Sequence, residues 1–150
     1  MSDTIFKIFP RYYYPTYPDE KIIGAMNALK LTCPGDITFI NYGGVQFIDC
    51  GDGLEHIFCP WCGCKVNMEF WQVAMDTAYQ GDSFKNTDIR MPCCDLASSL
   101  EELIYVKPCG FATFVIEILN PTTIPCKGDL HEMGKCFGNP YFFRMISAHI

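Results

Sequence analysis

Apolar and polar positions change period several times along this chain, and each change predicts an element. In 5–9, Ile5, Phe6, Ile8 and Phe9 surround a single lysine and Pro10 stops the run, which predicts a short strand. Residues 11–17, with Tyr12, Tyr13 and Tyr14 in a row and a proline among them, read as an extended connector. Ile22, Ile23, Met26 and Leu29 then recur at helical spacing behind Pro18, Asp19 and Glu20. A proline needs no N–H partner in a first turn and the acids favour the positive end of the dipole, so a helix over 18–31 is expected, closed before Cys33-Pro34-Gly35. The apolar stretches 37–40 and 45–48 flank Asn41-Tyr42-Gly43-Gly44, whose glycines tolerate positive φ, and this predicts a hairpin. Asn67 reads as the N-cap of a helix over 68–79. There Met68, Trp71, Met75 and Ala78 share one face, and Phe70, Val73 and Ala74 widen it enough to predict burial on most sides.

Further on, Ser98-Ser99 offers a cap and one helical turn before a strand over 103–106. The clearest strand is 111–119, with Ala112, Phe114, Ile116 and Ile118 on one side and Thr113 and Glu117 on the other. Gly128-Asp129 opens a short helix through Cys136, and 141–146 reads as the last strand. With 53–108 set aside, the order is strand, helix, strands, strand, helix, strand. The expected fold class is therefore α+β: a ferredoxin-like β-α-β sheet-and-helix core over 1–52 and 109–150, interrupted by a zinc-ribbon-like insertion over 53–108 in a single compact unit.

Composition narrows the function classes. At 150 residues, with 12 Phe and 8 Tyr, the chain can bury one aromatic-rich core but hardly two independent ones. Eleven Lys and Arg against 17 Asp and Glu make the surface acidic, which disfavours nucleic acid and leaves another protein as the expected partner. Apolar runs are too short for a membrane span and the N-terminus has no basic-then-hydrophobic leader, so a soluble, cytoplasmic protein is expected. In that compartment the ten cysteines read as reduced thiols, with Cys33, Cys50, Cys109, Cys126 and Cys136 as small buried hydrophobes.

The remaining cysteines carry the chemistry. Cys59-Pro60-Trp61-Cys62-Gly63 places two sulfurs at the spacing that lets one turn bind one ion, and Pro92-Cys93-Cys94 supplies two more, so Cys59, Cys62, Cys93 and Cys94 form a candidate structural zinc site. The second turn is irregular: its cysteines are adjacent and Asp95 stands where a glycine is expected, which leaves Cys64, His56 or Cys109 as substitutes for one ligand. A redox reading of Cys59 and Cys62 fits less well, because no helix starts directly after the pair. His56, His131 and His149 are isolated, and His131 with Asp129 and Glu132 reads as a solvated helix face rather than an acid-base group. No catalytic residue is assigned: the chain has no nucleotide-binding glycine loop, no G-x-S-x-G and no H-E-x-x-H. Trp61 and the tyrosines at 12–14 are the candidates for lining a binding groove.

Phe58-Cys59-Pro60-Trp61-Cys62-Gly63, Phe70-Trp71-Gln72 with Met75-Asp76, Pro92-Cys93-Cys94, Ser98-Ser99-Leu100 with Leu103 and Tyr105, Pro108-Cys109-Gly110-Phe111-Ala112 and Leu119-Asn120-Pro121 follow one another in an order that resembles a group of small uncharacterised bacterial proteins. The resemblance covers 38–121 and implies bacterial origin and the four-cysteine site, but no reaction. The reading is then a noncatalytic interaction or adaptor module with a structural zinc. A toxin-immunity-type inhibitor would use the acidic face, and a zinc enzyme would need an open metal position, with Glu55, His56 and Asp95 as its acid-base candidates.

Overall fold

In chain order, the computed structural model of the protein has β1 (Thr4–Pro10), α1 (Asp19–Thr32), β2 (Asp36–Ile48), β3 (Ile57–Phe58), α2 (Met68–Ala78), β4 (Tyr79–Gln80), β5 (Ser83–Phe84), β6 (Asp88–Arg90), β7 (Ala97–Ser99), β8 (Ile104–Tyr105), β9 (Gly110–Leu119), α3 (Lys127–Lys135) and β10 (Phe143–His149). A short 3-10 turn, Leu100–Glu102, separates β7 from β8. The structure describes residues 3–12, 19–51 and 53–149, so Pro18 and the connector tyrosines Tyr13 and Tyr14 lie outside the described residues. The architecture is mixed α and β with mostly antiparallel strands, and no described helix is long and apolar enough to cross a membrane. Residues pack into two compact units, Met1–Gly43 with Ala112–Ile150, and Gly44–Phe111.

In the first unit the strands run in the order β10-β1-β9-β2. β1 is antiparallel to both its neighbours, from Thr4 opposite His149 to Pro10 opposite Phe143, and from Ile5 opposite Leu119 to Ile8 opposite Ile116. α1 buries Ile22, Ala25 and Leu29, three residues on one helical stripe, and α3 buries Leu130, Met133 and Gly134. These stripes close over Ile8, Phe114, Ile116 and Ile118, all fully buried, and each such side chain stabilises the fold by about 1.5–3 kcal/mol. The simple alternation expected of β9 does not hold, because Thr113 and Val115 are buried as well as the residues between them. A strand with neighbours at both edges and both faces covered loses its polar side.

The hairpin expected at 37–48 is replaced by one 13-residue strand. Gly43 does take a positive φ of 75°, and its N–H is held by the Asn41 side chain at 3.0 Å, but the strand continues through it without reversing. Val45 consequently pairs with Phe84 of β5 and not with the preceding half of its own strand.

The second unit is built from short pairs. β3 is antiparallel to β8, β4 to β5 and β6 to β7. Asn67 caps α2 as its sequence position suggests, accepting from the Phe70 N–H at 3.1 Å. Only one stripe of that helix is buried, Trp71, Met75 and Ala78, while Val73 is 63% exposed, so burial on most sides is corrected to burial on one. The Trp71 indole donates to the Tyr105 hydroxyl at 3.1 Å, which donates to the Leu100 carbonyl at 2.7 Å. This chain satisfies two polar groups inside a core of Ile57, Met91, Leu100 and Leu103.

Candidate metal centre

Two turns in the second unit share one backbone pattern. In the first, the Gly63 N–H donates to the Cys59 carbonyl at 3.1 Å and the Cys59 N–H to the Cys64 carbonyl at 2.9 Å. In the second, the Asp95 N–H donates to the Met91 carbonyl at 2.8 Å and the Met91 N–H to the Leu96 carbonyl at 2.9 Å. Gly63 and Asp95 occupy the same place and both are left-handed, at φ 75° and 60°. Pro60 then corresponds to Pro92 and Cys62 to Cys94. The position of Cys59 is taken in the second turn by Met91, whose side chain is buried in the core, and Cys93 falls opposite Trp61. Sequence spacing alone did not reveal this offset, since adjacent cysteines look like a compressed pair.

The offset still brings four sulfurs together. The Sγ atoms of Cys59, Cys62, Cys93 and Cys94 all lie within 4.8 Å of one another, with 3.8 Å between Cys59 and Cys94 and 3.3 Å between Cys62 and Cys93. Four sulfurs about 2.3 Å from a central ion are separated by about 3.8 Å, so the group is close enough to bind one metal ion. Cys59 is buried and Cys94 half-buried, while Cys62 and Cys93 face solvent. Cys64, His56 and Cys109, the possible substitutes, are not part of the group, and no other such group of three or more occurs among the described residues.

Electrostatics divide the four. The Cys64 N–H, followed by the Cys93 thiol, holds Cys62 down to about 7. Burial opposes ionisation of Cys59, but the N–H groups of Cys62 and Trp61 outweigh it and its thiol is lowered too. Cys93 is pushed up to about 12, first by sharing its proton with Cys62 and then by burial. The Leu96 N–H favours a Cys94 thiolate, yet burial and the neighbouring Cys59 leave that thiol raised. A divalent cation bound by the four sulfurs would favour their thiolate forms and displace the protons that Cys93 and Cys94 otherwise hold most tightly.

Side-chain contacts pin the turns. The Trp61 indole donates to the Ala97 carbonyl at 2.9 Å, although the ring itself is 57% exposed, and the Arg90 guanidinium donates to the Asp95 carbonyl at 2.6 Å. None of the ten cysteines is in a disulfide. Of those expected to be small buried hydrophobes, Cys33, Cys50 and Cys109 are buried, Cys136 is half-buried and Cys126 is exposed, because Cys126 stands at the open N-terminus of α3. In the first unit, Asp129 is spent on capping α3, Glu132 pairs with Lys135 at 2.7 Å, and His131 stands edge-on to Tyr141 at 5.0 Å. No family model, curated protein or solved structure matches the chain. What stands of the resemblance to small bacterial proteins is the cluster of four cysteines.

Proposed function

We propose that Cys59, Cys62, Cys93 and Cys94 hold one zinc ion in a closed structural site, and that the chain is a noncatalytic interaction module of the bacterial cytoplasm. The observation that carries this reading is the mutual approach of four sulfurs within 4.8 Å. An all-sulfur tetrahedral set suits zinc, and four protein ligands leave no coordination position for a water or substrate. The first unit is read as ferredoxin-like. Its support is the order β10-β1-β9-β2, which is fourth-first-third-second among that unit's strands, with helices after the first and third. The segment 53–108 is read as a zinc-ribbon-like insertion, supported by the paired turns. A protein partner fits the exposed Trp61 and Leu96, one on each turn, since aromatic and aliphatic anchors dominate interfaces.

Elemental analysis of protein purified without added metal is expected to find one zinc per chain. Cys59→Ser should lose the metal and most of the second unit's stability, whereas Cys33→Ser, a buried thiol outside the group, should keep the metal and cost about 1 kcal/mol. A metal-free preparation that is normally folded would sink the proposal.

A further inference from the structure

We infer that a cavity in the first unit binds a small organic phosphate. Arg11 follows β1, Lys127 opens α3 and Arg144 lies on β10, and the fold brings these three cations to one opening of about 650 Å³. Volumes of roughly 300–1,000 Å³ are those of small-molecule sites. The charge pattern is the informative part. Acids outnumber bases by 17 to 11 over the whole chain, yet three bases and no acid are found among the described residues lining this cavity. Two of the three arginines of the sequence are here.

The acid closest in sequence, Asp129, is turned to other work. It accepts from the Thr32 hydroxyl at 2.6 Å, the Cys126 N–H at 2.8 Å and the Cys33 thiol at 3.5 Å. Arg144 is braced by the Phe9 ring, 5.1 Å from its centroid, so its planar fork is partly pre-set. Two guanidinium forks and an ammonium match the oxygens of a phosphate monoester better than a lone carboxylate, which one fork satisfies. Tyr12, Leu130 and Met145 add an apolar wall that would face the organic body of such a ligand. The inference does not rest on the metal site, since every described lining residue belongs to the unit without the four clustered cysteines.

The test is an amide NMR titration of the full chain with AMP and, separately, inorganic phosphate. Saturable shifts at Lys127, Leu130 and Met145 are expected, with AMP the tighter probe. Arg11→Gln should weaken AMP about tenfold or more, and Arg144→Lys, which keeps the charge and the packing on Phe9 but loses the fork, should also weaken it. Lys85→Gln, in the other unit, should bind as the parent does. No saturable shift at millimolar AMP, shifts that map elsewhere, or an Arg11→Gln variant that binds AMP as well as the parent would overturn the proposal. Equal affinity for AMP and inorganic phosphate would overturn its organic part.

Discussion

Asp95 carries a left-handed backbone where the matching turn uses Gly63, and an L side chain in that region costs about 1 kcal/mol. Its compensations are small. The ion pair with Arg90, at 3.5 Å, joins two exposed side chains, and the stronger contact, from Arg90 to the Asp95 carbonyl, needs no side chain. Asp95→Gly is therefore expected to stabilise the protein by up to about 1 kcal/mol in thermal or denaturant unfolding; an unchanged or lower midpoint would contradict the equivalence of the two turns. At this scale the sequence is legible by residue type: clustered cysteines, and an aspartate in a glycine's place. The role of Met91 is not, because a core side chain and a ligand position cannot be told apart by spacing when the backbone that equates them is unseen.

Between elements, Asp129 ties the start of α3 to the end of α1 through the Cys126 N–H and the Thr32 hydroxyl. Burial opposes its ionisation, but these donors outweigh it and hold its carboxyl below the usual range. A carboxyl lowered on folding contributes stability that is full above its unfolded pKa and is lost as pH falls through the folded one. Asp129→Asn should thus cost about 1 kcal/mol at neutral pH and leave a shallower loss of stability on the acid side, measured as unfolding free energy against pH. An acid limb identical to the parent's would contradict the assignment. All three helices were readable from apolar period and caps, Asn67 most directly. The seven strands other than β1, β9 and β10 were harder. β8 falls within the strand expected over 103–106, but β3 to β7 are two or three residues long, too short to display an alternation, and β2 runs on through the positive φ of Gly43 where a hairpin would use it to turn.

For the whole molecule, the two units give metal removal a spatial signature. Both tryptophans of the sequence, Trp61 and Trp71, lie in the unit that carries the four cysteines, so indole emission reports on that unit alone. Chelation is expected to shift that emission and to release the amides of α2 to exchange, while amides paired between β1, β9 and β10 stay protected. Simultaneous loss of protection in both units would show that the metal holds more than its own surroundings. The charge pattern around Arg11, Lys127 and Arg144 belongs to this scale too: Arg11 stands more than a hundred residues before the other two, so no local signal links them, and only the closed fold gathers them. The central claim is the closed four-sulfur site, and X-ray absorption at the zinc edge of the purified protein tests it most directly. Four sulfurs at about 2.3 Å and no lighter neighbour are predicted; a nitrogen or oxygen in that shell, exchangeable with a small anion, would contradict it.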